Sequence, residues 1–527
     1  MKGGEKEELR AGRLLIASNR LPISLRQDED GTWLREPGSG GLVTALEPVL
    51  RKSGGVWVGW PGVLDGQIPD LDEVLSRESG DAPYAVEPVS LTADERRDFY
   101  QGFANEILWP LCHGLQSRCN YQSRYWDAYR RVNRRFSDAI ARVAQPGDFI
   151  WVHDYHLMAV GEELRRRGLR QRVGFFLHIP FPPLDVFEQL PWAEEVLDSL
   201  LRFDGVGFQT RRDLRNFIHC VEALADEDVV VDGDAETVRV PGDGRTVQVG
   251  AYPISIDLEA FEGGAGEARV TRQVQALRRE LKAERVILGV DRLDYTKGIP
   301  QKLLGLERAL EKYPHLRGRV TLFQLVVPSR ERIPEYNRMK KEIEGLVGRI
   351  NGRFTRGGWA PILYRFGTWE QHELLAYYRL AHVALVTPLR DGMNLVSKEY
   401  VAASVDGDGV LVLSSFAGSA DELRDGALLV NPNDVEAVAD AIHVACSMEA
   451  GERGRRMAML RDQVRDHDVF RWVDGFLEAN APPSGGGPPP GEEGAPLQRR
   501  SAWPPRRPRV ARPEPDHLPL PGARPRD

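Results

Sequence analysis

Short apolar runs that end abruptly in polar, ionisable or glycine residues recur along the chain, and they limit its possible folds more than any other feature. Each run has the length and continuous apolar character of a strand buried on both faces, and segments with helical spacing separate the runs. This alternation predicts an α/β fold with parallel sheets. The runs are residues 13–18, 56–60, 149–153, 172–178, 205–210 and 247–253, then 285–290, 320–327, 363–366, 383–386, 409–413 and 428–430.

The two series of runs predict two doubly wound domains. The proline-containing segment 252–257 lies between them and predicts a crossing, so we expect an N-terminal domain over 13–253 and a C-terminal domain over 254–460. We also expect a C-terminal helix over 461–480 that packs back on the N-terminal domain. Residues 481–527 contain 14 of the 36 prolines, which predicts a disordered Pro/Arg-rich tail. Residues 1–12 are predicted to be a disordered N-terminus.

Composition excludes several classes of function. The chain has 527 residues, a formal net charge of −8 and no long run of Lys or Arg, so a nucleic-acid-binding surface is not indicated. No apolar run approaches the ~20 residues of a membrane span, and the polar N-terminus does not resemble a signal peptide. The four cysteines form no CxxC pair, which argues against a zinc site or a disulfide framework. We therefore expect a cytoplasmic protein that acts on small molecules, without nucleic-acid or membrane partners.

One strand-to-helix loop, residues 387–399, combines several features of a phosphate site. Asn394 is placed to cap the following helix, which leaves the backbone amides of Leu395, Val396 and Ser397 facing forward. Such a helix start carries partial positive charge and suits a phosphate. Glu399 lies one turn along the same face, where a carboxylate can hold sugar hydroxyls. Taken alone, an ordinary strand-to-helix turn explains this segment equally well.

A second strand-to-helix loop, residues 291–298, carries two cations. Arg292 and Lys297 are five residues apart in this short loop, directly after an apolar run. Because α/β sheets bind ligands at the carboxyl ends of their strands, this loop suits a diphosphate. The alternative, a solvated charged loop, is less favoured because apolar segments bound the loop on both sides.

Ionisable residues also follow strands of the first half. Arg20 follows the first strand, where it is placed to bind an anion. His153, Asp154 and His156 end one strand and His178 ends the next. A single case is explained by a satisfied structural group, whereas two neighbouring cases favour ligand contact. A metal site is the alternative for these residues, but their surroundings fit a ligand crevice equally well.

A glycine pair and an aromatic-rich segment complete the candidates in the first half. Gly40 and Gly41 precede a helix start and let the backbone approach a substrate, although the Gly-Lys-Ser/Thr ending of a P-loop is missing. The segment 98–136 is rich in aromatic residues, including Tyr100 and Trp109. At helical spacing such residues usually belong to the core, with one or two left to pack against a sugar.

Together and in this order, the motifs resemble those of glycosyltransferase family 20, the trehalose-6-phosphate synthases, which have the GT-B fold. The resemblance implies two Rossmann-like doubly wound parallel-sheet domains with the active site in the cleft between them. It implies retaining transfer of glucose from UDP-glucose, or another nucleoside-diphosphate glucose, to glucose 6-phosphate. The product is α,α-trehalose 6-phosphate, for trehalose biosynthesis and osmoprotection. The matching segments are 18–20, 40–41, 57–60, 151–156, 175–181, 291–298 and 387–399.

The resemblance also implies roles for individual residues. Arg292 and Lys297 match the donor-diphosphate clamp, and Asp391 and His178 match groups that hold the transferred glucose; these four are the predicted catalytic residues. The acceptor-binding positions are Arg20, Tyr100, Trp109, Asp154 and Arg330. The donor-binding positions are Gly40, Gly41, Arg292, Lys297, Trp369 (the base-side aromatic), Asp391, Leu395, Val396, Ser397, Lys398 and Glu399 (the ribose contact).

The mechanism implied by the resemblance lacks an enzyme nucleophile. A retaining hydrolase needs two carboxylates ~5 Å apart, and the sequence offers no obvious pair. Its cations would instead stabilise the leaving diphosphate. The hypothesis is front-face transfer in which the leaving phosphate assists deprotonation of the acceptor hydroxyl. We expect no metal and no cofactor, and a homo-oligomer, either dimer or tetramer.

Two alternatives remain open. The segment 111–120, beside the predicted acceptor residues, varies within the family, so a glucosylglycerol-phosphate synthase with glycerol 3-phosphate as acceptor is one. The other is a non-catalytic sugar-phosphate sensor of the same fold. Six residues argue against it by their presence: Arg20, Asp154, Arg292, Lys297, Asp391 and Glu399.

Overall fold

The computed structural model describes residues 12–28, 30–38, 40–77, 83–226, 228–233, 235–240, 244–281, 283–329 and 334–481. The predicted disordered segments 1–12 and 481–527 lie outside this part of the chain, apart from Gly12 and Ala481. The strands are β1 Leu14–Arg20, β2 Ile23–Gln27, β3 Trp33–Pro37, β4 Gly55–Trp60, β5 Tyr84–Pro88, β6 Phe149–His153, β7 Arg172–Phe176, β8 Gly205–Phe208, β9 Val230–Asp232, β10 Thr237–Val240, β11 Arg245–Ala251, β12 Arg285–Arg292, β13 Val320–Val327, β14 Ile362–Phe366, β15 Val383–Val386, β16 Val410–Ser414 and β17 Leu428–Val430.

Helices connect these strands. The α-helices are α1 Gly41–Ser53, α2 Leu71–Arg77, α3 Ala93–Glu95, α4 Trp109–Cys112, α5 Ser123–Val143, α6 Val160–Arg166, α7 Leu184–Phe187, α8 Ala193–Leu200, α9 Arg211–Leu224, α10 Leu258–Gly266, α11 Ala268–Glu280, α12 Ile299–Lys312, α13 Pro334–Phe354, α14 Gln371–Leu380, α15 Leu395–Ala403, α16 Ala420–Leu423, α17 Val435–Ser447, α18 Ala450–Asp466 and α19 Val469–Ala479. Residues Arg96–Leu108 are π-helical and join α3 to α4, and 3₁₀ turns occupy Gln116–Arg118, Tyr295–Lys297 and Pro314–Leu316. None of the described helices combines the length and apolar character needed to cross a bilayer.

The first half forms a nine-stranded sheet in the order β5-β4-β1-β6-β7-β8-β11-β10-β9. The first seven strands in this order are parallel, and β10 and β9 add an antiparallel edge. This edge and β5 were not predicted, because the strands are short and partly exposed, as at Val230. The polar insert 25–37 contributes to a separate two-stranded hairpin, β2–β3.

The second half forms a six-stranded, fully parallel sheet in the order β14-β13-β12-β15-β16-β17. Numbered within this half the order is 3-2-1-4-5-6, which is that of the Rossmann fold. The predicted α/β fold of two doubly wound parallel-sheet domains is therefore confirmed.

Both sheets are covered on two faces, as doubly wound sheets must be. Along β1, Leu15 and Ala17 pack in one apolar cluster, whereas Leu14 and Ile16 pack in another on the opposite face. Successive side chains of a strand point to opposite faces, so a strand with two apolar faces has to be buried on both. The continuous apolar runs in the sequence follow from this requirement.

The chain ends with a helix that returns to the first sheet. In α19, Phe476 stacks on Trp151 of β6, with ring centroids 4.6 Å apart and planes 8° apart. The predicted single helix over 461–480 is wrong in detail, because α18 ends at Asp466 and Asp468 caps the start of α19. Leu460 and Val464 of α18 belong to the second core, so the change of sides comes after α18 rather than at residue 460.

Each parallel sheet has one point where the strand order reverses, and the predicted site residues lie at both. In the second sheet, β12 and β15 are the neighbouring strands from which the chain leaves in opposite directions. In the first sheet the corresponding strands are β1 and β6. Loops after such strands diverge and leave a crevice at the carboxyl edge, where open α/β sheets bind their ligands.

Candidate active site

The two predicted donor loops meet at the switch point of the second sheet. Lys297, in the 3₁₀ turn after β12, forms an ion pair with Asp391, in the loop after β15. The two side chains are 12% and 15% exposed. Arg292 ends β12, is exposed, and has its guanidinium carbon 5.8 Å from the centre of the Trp109 ring. Lys297 and Asp391 are 94 residues apart in the sequence, and they meet because β12 and β15 are neighbouring strands.

Asp391 is ionised by its surroundings. Burial acts to raise the pKa of this carboxyl group, but Lys297, with further contributions from His113 and Arg292, lowers it more in total, and the pKa lies below its ordinary value. Asn394 also donates a hydrogen bond from Nδ2 to Asp391 Oδ2, 3.0 Å away. An ionised carboxylate can only accept hydrogen bonds, which suits it to the hydroxyl groups of a sugar.

The start of α15 differs in one respect from the prediction. Asn394 occupies the N-cap position, but its backbone is left-handed, with φ 71°, and its side chain does not cap the helix. The amide of Ser397 is not free, because it donates to the carbonyl oxygen of Asn394 at 3.3 Å. Leu395 and Val396 are the first two residues of the helix, so their amides have no acceptor within it. The predicted anion site therefore contains two forward-facing amides rather than three.

Glu399 and Lys398 lie further along α15 and have different surroundings. Glu399 is partly buried and accepts a hydrogen bond from Tyr378 Oη at 2.7 Å. Burial raises the pKa of Glu399, and this bond opposes the rise. Lys398 is 1% exposed, and its ammonium group binds Glu422 at 2.7 Å and the carbonyl oxygen of Ile254 at 3.0 Å. The prediction that Lys398 binds the donor is therefore corrected for its side chain, which has a structural role.

Three of the predicted acceptor residues, Arg20, Tyr100 and Asp154, lie around the switch point of the first sheet. Arg20 ends β1, and its guanidinium carbon is 4.7 Å from the centre of the Trp60 ring. Tyr100 packs against the same Trp60 ring and stacks on His156, with centroids 5.8 Å apart. Asp154 follows β6 in a left-handed conformation, φ 75°, which few residues other than glycine adopt. This conformation is typical of a functional position, since the surrounding structure must hold it.

His178 lies beside Asp154, and both of its ring nitrogens already have protein partners. Its backbone amide donates to Asp154 Oδ1 at 3.2 Å. Nε2 of the ring is 3.1 Å from His153 Nδ1, and Nδ1 is 3.2 Å from Gln209 Nε2. Burial lowers the pKa of His178 to about 3, so the ring is neutral at ordinary pH. A sugar hydroxyl can bind the ring only by sharing or replacing one of these bonds.

The loop after β15 and the start of α15 are in contact with the first domain. A methyl group added at Gly392, next to Asp391, would overlap the carbonyl group of His178. On Gly41 an added methyl would lie 3.0 Å from the side chain of Leu395. Gly40 has φ 131°, a conformation that favours glycine, and it directly precedes α1. The predicted glycine loop thus faces the start of α15.

A further contact joins the predicted acceptor residue Trp109 to the predicted donor loop after β12. Trp109 donates from Nε1 to Asp294 Oδ1 at 3.4 Å, and Asp294 lies in the same loop as Arg292 and Lys297. Asp294 also accepts a bond from Tyr336 Oη at 3.3 Å. Sequence reasoning missed Asp294, although it lies within a motif that was singled out.

Two predicted site residues remain, Arg330 and Trp369. Arg330 lies outside the described residues. Trp369 is half-buried and packs against the core of the second domain. Most other aromatic residues of the segment 98–136 are core, as the sequence predicted; Phe103 and Tyr129 are fully buried. Among the described residues no group of three or more His, Cys, Asp or Glu side chains is arranged to hold a metal ion.

Comparison with known proteins places this arrangement among related enzymes. Residues 12–481 match the model of glycosyltransferase family 20. The chain is 44% identical to a trehalose-6-phosphate synthase of Mycolicibacterium smegmatis over 474 residues, 89% of this chain and 92% of that protein. It is 39% identical to the UDP-forming alpha,alpha-trehalose-phosphate synthase A of Dictyostelium discoideum over 476 residues, 90% of this chain but 63% of that protein.

A solved structure is similar as well. It is a UDP-forming alpha,alpha-trehalose-phosphate synthase from Burkholderia xenovorans in complex with glucose-6-phosphate, 36% identical in sequence. The TM-score is 0.80, and the match covers 89% of this chain and all of that one. The structural match therefore includes both described sheets.

Proposed function

Because the chain belongs to glycosyltransferase family 20, we propose that it transfers glucose from UDP-glucose to glucose 6-phosphate, forming α,α-trehalose 6-phosphate and UDP. One observation carries the proposal from the geometry: the loop after β12 contacts Trp109 of the first domain, while the loop after β15 and the start of α15 lie against His178 and Gly41. The predicted donor loops of the second domain thus lie directly against predicted site residues of the first. Two of the relatives named above are UDP-forming, and one of these is in complex with glucose-6-phosphate, which supports UDP as the product and glucose 6-phosphate as the acceptor.

The donor is assigned to the second domain. Arg292, Lys297 and the amides of Leu395 and Val396 supply positive charge for the diphosphate. Glu399 binds the ribose hydroxyls, since it lies one helical turn beyond these amides and Tyr378 occupies only one side of its carboxylate.

The acceptor is assigned to the first domain. Arg20 binds the phosphate group of glucose 6-phosphate, because a planar guanidinium matches phosphate oxygens. The Tyr100 and Trp109 rings border the sugar, and Asp154 accepts hydrogen bonds from its hydroxyl groups. Arg330 is assigned as a second phosphate ligand on the basis of the family motif alone.

The transfer itself is proposed to proceed on one face of the glucose. The bond between glucose C1 and the diphosphate oxygen breaks, and a bond forms between C1 and the acceptor O1 on the same face. The proton of the acceptor hydroxyl passes to the departing diphosphate oxygen. Asp391 holds the transferred glucose, while Arg292 and Lys297 stabilise the charge that develops on the leaving group.

We propose that no metal ion takes part, because these two side chains and the helix start supply the positive charge that a divalent cation provides elsewhere. The measurement is the initial rate of UDP release after treatment with EDTA. A rate that stays within about twofold of the untreated enzyme is expected. A loss that added Mg²⁺ restores would contradict this part of the proposal.

The substrates are tested by incubating purified protein with UDP-, GDP- or ADP-glucose and either glucose 6-phosphate or glycerol 3-phosphate. We expect acceptor-dependent UDP release with UDP-glucose and glucose 6-phosphate, and an α,α-linked disaccharide phosphate by NMR. Release of UDP with glycerol 3-phosphate but not with glucose 6-phosphate would show that glucose 6-phosphate is not the acceptor. Binding of glucose 6-phosphate without transfer from any donor would favour the sensor.

The predicted homo-oligomer and cytoplasmic location remain proposals as well. All four cysteines are unpaired, as is usual in reducing compartments. Light scattering of the purified protein measures the first, and a mass of one chain, 59.1 kDa, would contradict it. Cell fractionation measures the second.

A further inference from the structure

A buried glutamine, Gln209, connects the candidate glucose-holding histidine to the crossing between the two domains. It directly follows β8 and is 1% exposed. Its Oε1 accepts a hydrogen bond from the backbone amide of Ile254 at 3.0 Å. Its Nε2 is 3.2 Å from Nδ1 of His178.

The orientation of the Gln209 amide follows from this geometry. The backbone N–H of Ile254 can only donate, so the oxygen of Gln209 must face it and the NH₂ group must face His178. Turning the amide over would place two donors against each other at Ile254. Gln209 therefore donates to His178 Nδ1, which has to be unprotonated to accept.

The tautomer of His178 is fixed in consequence. A neutral imidazole with an unprotonated Nδ1 carries its proton on Nε2. That nitrogen is 3.1 Å from His153 Nδ1, so His178 donates and His153 accepts. His153 then carries its own proton on Nε2, an atom that is buried without a hydrogen-bond partner in the described part of the chain. The two hydrogen bonds that join these three side chains therefore have the same direction: Gln209 donates to His178, and His178 donates to His153.

Ile254, whose backbone amide orients Gln209, also binds α15 through its carbonyl oxygen. Lys398 of α15 donates from Nζ to the carbonyl oxygen of Ile254 at 3.0 Å and pairs with Glu422 at 2.7 Å. Both side chains of this ion pair are nearly inaccessible, 1% and 10% exposed. The segment at Ile254 is therefore bound on one side by the first domain and on the other by α15.

We propose that Gln209 is a positioning residue for glucosyl transfer, which holds His178 with its ring proton on Nε2 and its ring in one orientation. The proposal rests on the proposed function for its kinetic part only, because the tautomer is a property of the protein without substrate. His178, not Gln209, borders the glucose; Gln209 acts through it.

The decisive variant is Gln209→Glu, which has the same size but cannot donate. Its carboxylate accepts hydrogen bonds from both Ile254 and His178, so the His178 proton moves to Nδ1. His178 Nε2 then accepts a hydrogen bond from His153 instead of donating one to it. We expect kcat to fall about tenfold or more, as for other partners that orient a histidine. We expect the Kd for UDP to stay within about twofold, since UDP lacks the glucose. Gln189→Glu, an exposed glutamine on the same domain, is the matched control and should change neither.

The tautomer is measured by ¹⁵N NMR of histidine ring nitrogens in protein labelled at its eleven histidines, with His178 assigned through His178→Gln. The wild type should show His178 protonated on Nε2, and Gln209→Glu should show it on Nδ1. A wild-type ring protonated on Nδ1 would overturn the proposal even if the variant failed to fold. So would a tautomer change without loss of kcat, a loss of kcat without a tautomer change, or a parallel loss of kcat and UDP affinity.

Failure of the proposed function gives a different result. In that case the wild type makes no trehalose phosphate from UDP-glucose and glucose 6-phosphate, and no kinetic comparison exists. The ring tautomers of the wild type and Gln209→Glu remain measurable, so the structural part is tested separately.

Discussion

A buried ion pair behind the donor loop gives the sharpest stability prediction. Lys302 of α12 binds Asp291 of β12, with Nζ and Oδ2 2.6 Å apart and side-chain exposures of 0% and 2%. Gln324 of β13 donates to the same oxygen at 2.9 Å. Asp291 directly precedes Arg292, so this pair fixes the strand end that carries the proposed donor clamp.

Lys302→Met removes the cation, keeps most of the side-chain volume and leaves a buried carboxylate with Gln324 as its remaining partner. Truncating one member of a buried pair typically costs about 3–5 kcal/mol, because the other charge stays desolvated. Removing the remaining charge as well, in Lys302→Met with Asp291→Asn, should recover a substantial part of this cost. The double variant is thus expected to be more stable than the single one.

Urea unfolding followed by tryptophan fluorescence measures the difference. Lys312→Met is the matched control, because Lys312 lies on the same helix but pairs with Asp440 and Glu436 at the surface, where ion pairs contribute little. If Lys302→Met and Lys312→Met unfolded at the same urea concentration, the buried pair would not have the role assigned to it. A double variant less stable than Lys302→Met would refute the argument from uncompensated charge.

Three other outcomes are expected. Arg292→Ala should raise the activation free energy of transfer by about 2–4 kcal/mol, which lowers kcat/KM by about 30- to 900-fold in an assay of UDP release. A kcat/KM within about twofold of wild type would contradict the proposed clamp. Burial raises the pKa of Glu399, so its ionised form lowers stability above pH ~4.3 and that stability returns as the pH falls. Glu399→Gln should therefore be more stable than wild type at pH 7, equal to it at low pH, and weaker in UDP binding by calorimetry; lower stability at pH 7 would contradict this. Gly392→Ala should abolish transfer because its methyl group overlaps the backbone of His178, while Gly454→Ala, where a methyl group meets nothing, should keep wild-type activity in the same assay.

Local patterns were enough to predict the strands and the loops that follow them. The change from apolar to ionisable residues at Arg292 and at Asp154 marks a strand end, and the rule that ligands bind there needs no knowledge of packing. The start of α15 at Leu395 was predicted correctly for the same reason. The pairing of Lys297 with Asp391 was not, because it depends on β12 and β15 being neighbours in the sheet.

Side-chain contacts between elements that are distant in the sequence could not be predicted. Lys398 stands among donor-loop residues in sequence, yet its partners Ile254 and Glu422 come from the domain crossing and from α16. Gln209 was passed over because an uncharged residue after a strand gave no signal of its own. Only the position of the amide of Ile254 shows which way its side chain must face.

The surroundings of two side chains bear on the choice of base in the proposed transfer. Asp391 has a pKa below its ordinary value in the ion pair with Lys297, so it accepts hydrogen bonds but is a poor proton acceptor. His178 has a pKa of about 3, and its Nδ1 is occupied by Gln209. Neither of these two groups is therefore suited to take a proton from the acceptor hydroxyl near neutral pH. The oxygen of the departing diphosphate gains negative charge as the bond to glucose breaks, and its basicity rises at the moment the proton must leave. We therefore favour the leaving group as the base in the proposed transfer, which needs no basic side chain at Asp391 or His178.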